Sequence, residues 1–473
     1  MTSDTVKPPA RLSGDYFFCG IGGSGMLPLA VLVKAADATI AGSDRALDQG
    51  RSAEKFDWLR AQGIPVFAQD GSGVTSAEQI VVASAAIEDS VPDITRAKAL
   101  GCKRMTRAEL LARLFNARAD GIAVGGTSGK STVTGMIGWI LAETGRDPMI
   151  MNGAVMKNFA SEAVPFASAR AGSGRFVTEV DESDGSIALF RPGIAVINNV
   201  SLDHKPLDEL RALFGGFAQS ARTVVWNRDD AESSALIGAL DLPETISFGF
   251  GEADFRAVDI VERPLSVSFT LCARDEQHKV ALKVPGHHNI ANALAAIAAT
   301  SAAGVPLAEA CEAIGGFTGL ARRFDVVGSA GGITVIDDFG HNPDKIAATL
   351  RTLRAFPDRI IAFFQPHGYG PLAKMGEELA ATFARELGAE DRLVVSDPTY
   401  FGGTVDRSTG SEVLLTGLGD RAEHIADRAA CGERIVALAR PGDRIVVMGA
   451  RDDTLGIFAR DILAGLAKAR SPA

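Results

Sequence analysis

Twice in this chain a short apolar run breaks into a glycine-rich loop and passes straight into a helical stretch. The first is YFFCGIGGSGM (16–26), followed by LPLAVLVKAA; the second is IAVGGTSGKST (122–132), followed by VTGMIGWILAE. A strand that ends in glycines and restarts as a helix is the repeating unit of parallel α/β sheets, because parallel strands need a crossover between them. The same alternation recurs in ATIAGSD (38–44), QIVVASAAI (79–87), RFVTEVDESD (175–184) and GIAVINNVSLDH (193–204). It returns in ITVIDDFGHNP (333–343), RIIAFFQPHGYG (359–370), RLVVSDPTY (392–400) and RIVVMGARDD (444–453). Each run ends in polar residues, and strand ends of this kind are where α/β sheets place their ligands. The pattern predicts three successive α/β units, with no low-complexity linker and no short internal repeat.

Composition narrows the partners. The 473 residues carry a formal net charge of −10 and no long run of Lys or Arg, so a surface that binds nucleic acid by displacing counterions is not expected. Five scattered cysteines form no CxxC pair and read as reduced thiols. The first residues, MTSDTVKPPARLSGD, lack the apolar core of a signal peptide, and no stretch of about 20 apolar residues suggests a membrane span. The expectation is a soluble cytoplasmic protein with no membrane partner.

The second glycine loop has the context of a phosphate cradle. Backbone N–H groups at a helix N-terminus surround phosphate oxygens, and the helix dipole favours the anion. The strict pattern is a glycine, four free positions, then Gly-Lys-[Ser/Thr]; here the first position is Val124. Gly126, Thr127, Gly129, Lys130, Ser131 and Thr132 are the candidate nucleotide contacts, with Lys130 neutralising β- and γ-phosphates and Ser131 a ligand for Mg2+. In the first loop, Gly20, Gly22 and Gly23 resemble a dinucleotide fingerprint, and Asp44 lies where a ribose-binding acid would sit. That loop suits NAD, FAD or the diphosphate of another nucleotide, and equally a tight turn in a doubly wound sheet.

Further candidates stand at later strand ends. EVDESD (179–184) gathers four acids in six residues; beside a phosphate loop such carboxylates hold Mg2+, and elsewhere they are a solvated loop. NNVSLDH ends in Asp203 and His204, where the histidine would ligate a metal, contact a phosphate or be a satisfied core residue. Asn289 and Asn292 lie one helical turn apart on one face, placed for a base or ribose, with helix capping as the plainer role for Asn289. Arg322 and Arg323 precede a stretch holding Asp338 and His341, and His367 follows at the next strand end.

Taken in order, GIGGSGM, GTSGKST, EVDESD, NNVSLDH, GHHNIANA, RRFD, DDFGHNP and FQPH resemble the Mur ligases, most closely the alanine-adding and murein-peptide-recycling branches. The resemblance runs from about residue 16 to the C-terminus. These ligases carry a short GTxGK[ST] loop, so Val124 is no obstacle. The resemblance implies a Rossmann-like UDP-binding domain (1–117), a central P-loop ATPase domain (118–316) and a C-terminal Rossmann-like domain (317–473). It implies ATP and Mg2+, with a UDP-N-acetylmuramic-acid-type carboxylate joined to an amino acid or peptide amine through an acyl phosphate, in a monomer or homodimer. By it, Lys130 serves the γ-phosphate and Ser131, Glu179 and His204 hold Mg2+. Asn289, Asn292, Arg323 or Arg322, and Asp338 meet the nucleotide, His341 and His367 receive the amine, and Gly20, Gly22, Gly23 and Asp44 line the UDP site. The departures are these: FQPHGYGPLAK lacks the basic residue that follows FQPH in alanine-adding members, Asn342 replaces a histidine, Ser128 stands where the loop usually has a histidine before GK, the KPLDEL stretch after DH is short, and RDDTL (451–455) replaces a small-residue turn. Two other classes remain open at this point: an NAD(P)-dependent oxidoreductase built on GIGGSG, and a non-catalytic homologue that binds UDP-linked ligands.

Overall fold

Each of these apolar runs becomes a parallel strand buried on both faces. The computed structural model describes residues 12–85, 87–118, 120–201, 205–399 and 406–470. The chain divides into two compact units, the second made of everything from Gly319 onward together with 262–267 and 284–287.

The first unit contains two sheets. In the five-stranded one, Asp15–Cys19 lies between Thr39–Ser43 and Ile80–Ala83, with Val66–Phe67 and Lys103–Thr106 at the edges, all parallel. Tyr16, Phe17, Phe18 and Cys19 are all buried, as a strand covered by helices on both sides requires. The order reverses at Asp15–Cys19, so the loop after it opens at the topological switch point, where such sheets bind ligands. Gly20 turns the chain there at φ +81°.

The second sheet has ten strands. Ile122–Gly125 runs parallel between Ile194–Ile197 and Phe176–Glu179, and all four of its residues are buried. The helix Lys130–Glu143 follows four residues later, with nine buried residues along it. Three strands not anticipated from the sequence, Phe255–Arg263, Ser266–Ala273 and Glu276–Leu282, extend this sheet at one end. In Ser266–Ala273 buried and half-buried residues alternate strictly, the mark of a sheet with one face inward.

The second unit holds a six-stranded sheet. Its centre is Arg444–Gly449, parallel to Ile333–Asp338 on one side and Ile360–Gln365 on the other, and all residues of Ile360–Gln365 and Arg444–Gly449 are buried. Asp325–Ala330 adds the one antiparallel edge, and Arg392–Val395 and Ala422–His424 complete the other side. Helices Pro343–Arg354 and Tyr369–Glu386 cover one face through Ile346, Leu350, Leu379 and Phe383. Helices Arg428–Leu438 and Leu455–Arg470 cover the other through Ile435, Phe458, Ile462 and Leu466. Each such side chain contributes about 1.5–3 kcal/mol on burial. Asn342 caps Pro343–Arg354, its side chain accepting from Lys345 N at 3.0 Å, so the residue that departs from the family pattern has a helix-starting role. Among the described residues no helix is long and apolar enough to cross a membrane.

Candidate active site

The phosphate-type loop of the first unit is held from below by asparagines. Gly126 and Gly129 take φ of +144° and +79°, conformations that side-chain-bearing residues avoid. A Cβ on Gly129 would lie 2.4 Å from Asn198 Nδ2 and 2.7 Å from Asn292 Oδ1. Asn198 Nδ2 donates to Ser128 O and to Asn292 Oδ1, each at 3.1 Å, and Asn292 Nδ2 donates to Asn289 Oδ1 at 3.1 Å. The two carboxamides expected on one helix face are therefore both buried and bonded to each other; Asn289 lies inside the helix His287–Ala302 and is not its cap. Asn199 Oδ1 accepts from Ser128 N at 2.8 Å and from Thr127 Oγ1 at 2.9 Å.

Lys130 and Ser131 open the helix. Lys130 Nζ donates to Gly126 O at 2.6 Å and to both oxygens of Glu182 at 2.8 and 3.0 Å. The Glu182 side chain is 4% exposed and that of Lys130 19%. Burial pushes the Glu182 carboxyl above its ordinary range, and the Lys130 ammonium beside it opposes that shift. Ser131 Oγ donates to Glu179 Oε2 at 2.8 Å, and Gly153 N donates to the other Glu179 oxygen. A hydroxyl and a carboxylate side by side at a helix N-terminus are hard oxygen donors of the kind Mg2+ takes, and the backbone N–H groups of that terminus suit phosphate oxygens. Ser131 and Glu179 thus fit a magnesium nucleotide. His204, the third expected ligand, lies with Asp203 outside the described residues. Thr132 sits in the first turn of the same helix.

In the N-terminal loop, Asp44 is committed to the loop itself. Its oxygens accept from Gly22 N and Ala46 N, each at 2.8 Å, so it caps the helix Arg45–Asp48 and pins the glycine turn. A Cβ on Gly22 would lie 2.9 Å from Phe56, and Gly23 N donates to Gly20 O at 3.1 Å. Arg107, unremarked in the sequence, sits in the first turn of Arg107–Asn116 with its side chain 3.0 Å from where a Gly25 Cβ would be.

The second unit brings its candidates to one end of its sheet, where Ile333–Asp338, Arg444–Gly449 and Ile360–Gln365 finish side by side. The rings of His341 and His367 meet edge to face, centroids 5.2 Å apart. Burial, helped by the Lys345 charge, lowers His341 to about 3; burial and Arg451 lower His367 to about 4. Both imidazoles are neutral at pH 7. His341 Nδ1 lies 2.8 Å from Phe339 O, and a carbonyl only accepts, so the proton is on Nδ1 and Nε2 is left as an acceptor.

The arginine pair shares this end of the sheet, and both guanidiniums face the Phe339 ring. Arg322, at φ +62°, turns inward: it donates to Gly449 O at 2.7 Å and Asp452 O at 2.8 Å and pairs with Asp337 at 3.5 Å. These bonds tie Arg322 to the sheet end. The Arg322 and Arg323 guanidiniums lie over the Phe339 ring, 5.2 and 4.6 Å from its centroid. Asp338 is also engaged, accepting from Phe324 N at 2.7 Å, Gly340 N at 2.8 Å and Thr349 Oγ1 at 3.0 Å. Desolvation raises its neighbour Asp337 to about 6.

A glycine cradle backed by a buried Lys–Glu pair suits a nucleotide-using enzyme, and the comparisons name its class. Residues 15–119 match the Mur ligase family catalytic domain, 124–300 the Mur ligase middle domain and 322–451 the Mur ligase glutamate ligase domain. The UDP-N-acetylmuramate–L-alanine ligase of Dinoroseobacter shibae is 35% identical over 465 residues, spanning 94% of this chain and 96% of that protein. The enzyme of the same name from Acidithiobacillus ferrooxidans is 36% identical over 395 residues, spanning 80% and 82%. The crystal structure of the UDP-N-acetylmuramate–alanine ligase of Thermotoga maritima matches with a TM-score of 0.80 and 25% identity, over 97% of this chain and 100% of that one. A murein peptide ligase from Psychrobacter arcticus shares the fold at a TM-score of 0.70 and 24% identity. The chain belongs to the Mur ligase family. It is an ATP-dependent ligase, and the oxidoreductase reading of GIGGSG is set aside.

Proposed function

We propose that this ligase joins the carboxylate of a UDP-N-acetylmuramate-type substrate to the amine of an amino acid, with the domain division 1–117, 118–316 and 317–473. The observation that carries this reading is the Gly126–Ser131 cradle, in which Lys130 is held by Glu182 and Ser131 by Glu179. Glu182 keeps the Lys130 ammonium beside the loop, so its charge is already in place when a γ-phosphate enters. Phosphoryl transfer needs mainly positioning and charge stabilisation, and this arrangement supplies both. Mg2+ bound by Ser131 and Glu179 would offset the charge on the phosphate oxygens. The donor carboxylate takes the γ-phosphoryl group and ADP leaves. The amine then attacks the acyl carbon, and inorganic phosphate departs as the amide forms.

His341 and His367 suit the second step. A neutral imidazole with a free Nε2 accepts a hydrogen bond from the incoming amine and directs its lone pair away. ATP as energy source and five free cysteines fit a cytoplasmic reaction. Phosphate release from ATP with UDP-N-acetylmuramic acid and L-alanine, with product mass, tests the reading. Release should require all three and cease in Lys130→Ala with the fold intact; turnover retained in that variant refutes the loop assignment.

A further inference from the structure

Resting on the ligase reading above, we propose that Arg451 binds the carboxylate of the incoming amino acid and thereby selects acceptors that carry one. In the register of the central strands Gln365 pairs with Gly449, so His367 and Arg451 each lie two residues beyond a matched pair, on neighbouring chains leaving the same sheet end. The backbone on both sides of Arg451 is tied down. Arg322 donates to Gly449 O before it and to Asp452 O after it, at 2.7 and 2.8 Å. Asp452 Oδ2 accepts from Gln365 Nε2 at 2.8 Å and from Arg428 at 2.7 Å, and Asp452 Oδ1 accepts from Thr454 N at 2.9 Å.

Held this way, Arg451 sits at φ +60°, a left-handed conformation that costs a non-glycine residue about 1–2 kcal/mol. Strain of this kind persists where surroundings impose it, and it gathers at functional sites. The side chain is exposed, and among the described residues it makes no hydrogen bond or ion pair. Its charge is felt at His367. The other arginines at this end are occupied: Arg322 and Arg428 by the Asp452 turn, Arg323 against Phe339.

An amino acid acceptor presents an amine and, two bonds away, a carboxylate. Neutral histidines and an uncommitted guanidinium on adjacent strand ends match those two groups. Arginine's planar fork takes a carboxylate through two parallel N–H donors. The FQPHGYGPLAK stretch offers no cation before Lys374, so Arg451 stands in its place from a different strand.

The experiment compares L-alanine with L-alaninamide as acceptor for the purified full chain with ATP, Mg2+ and UDP-N-acetylmuramic acid. Hydroxylamine in place of either amine traps the activated carboxylate as hydroxamate and reads the ligase chemistry without any acceptor carboxylate. Wild type should form hydroxamate and prefer L-alanine over its amide. Arg451→Ala should raise KM for L-alanine about 10–100-fold, the value of one charge-assisted pair, with KM for ATP unchanged and the preference over the amide lost. Arg451→Lys should fall between. Arg451→Gly, which relaxes the left-handed strain, should lose the same preference without loss of melting temperature, separating binding from folding. The inference is overturned if the variants keep the preference, if the loss falls on KM for ATP, or if wild type forms hydroxamate yet shows no preference. A wild type that forms no hydroxamate overturns the ligase reading, and this inference with it.

Discussion

Gly129→Ala tests the cradle through its backbone. Gly129 caps the helix Lys130–Glu143 at φ +79° and ψ −8°. An alanine there incurs about 1 kcal/mol for the left-handed conformation. Its Cβ also falls 2.4 Å from Asn198 Nδ2 and 2.7 Å from Asn292 Oδ1. Both asparagines are 4% exposed, so neither carboxamide has open space to swing into. Moving Asn198 breaks its bonds to Ser128 O and Asn292 Oδ1, about 1 kcal/mol each. The total is about 3 kcal/mol, a fall in melting temperature on the order of 5–10 °C. Differential scanning calorimetry reads the stability, and KM for ATP reads the loop, which should weaken by at least tenfold as Ser128 shifts. Adding Asn198→Ala to Gly129→Ala removes the obstructing amide and should return part of the lost ATP affinity. Wild-type melting and wild-type KM in Gly129→Ala would refute the account of the loop as a cradle closed from below by these carboxamides.

Glu182→Gln removes the partner of a largely buried ammonium and should lower the unfolding free energy by about 2 kcal/mol, read as a lower urea midpoint; an unchanged midpoint contradicts the pairing. Ser131→Ala should leave melting nearly unchanged but raise the Mg2+ concentration needed for half-maximal turnover severalfold, and an unaltered Mg2+ dependence removes Ser131 from the metal site. The lowered His341 and His367 give the folded chain fewer protons than the unfolded one from about pH 6.5 down to about 4, so their contribution is lost as pH falls through that window. Asp337, raised to about 6, acts in the opposite sense, holding its proton in the fold and costing stability as pH rises from 3.8 to about 6. Urea midpoints across pH 4–7 should therefore show a steeper rise with pH in wild type than in His341→Gln/His367→Gln; parallel profiles exclude the two imidazoles.

The strand–loop–helix units were legible because buried parallel strands are continuous apolar runs and their ends must be glycine or polar. The two glycine loops, with Lys130 and Ser131, follow from the same pattern, whereas His341 and His367 were joined only through the family resemblance. The strands between 255 and 282 were not, because Arg256, Asp259 and Glu262 break the apolar run and leave only alternation. Four acids in EVDESD look equivalent in sequence; only burial separates Glu182, which holds Lys130, from the exposed Asp184. Arg322 and Arg323 are adjacent and chemically identical, and only the fold shows that Arg322 ties down Gly449 O and Asp452 O. The cap at Asn342 was there to be read, since Asn before Pro is a helix start.

The turn carrying residue 451 is braced by everything except that residue's own side chain. Gly449 and Asp452 are fastened by Arg322, Gln365 and Arg428, so position 451 bears a side chain that the scaffold does not depend on. Such a position is a free variable of the fold. Among residues that tolerate a left-handed backbone its identity can be varied in a library without unsettling the sheet beneath, so acceptor preference, if set there as proposed, can change through one codon while the machinery that spends ATP stays as it is.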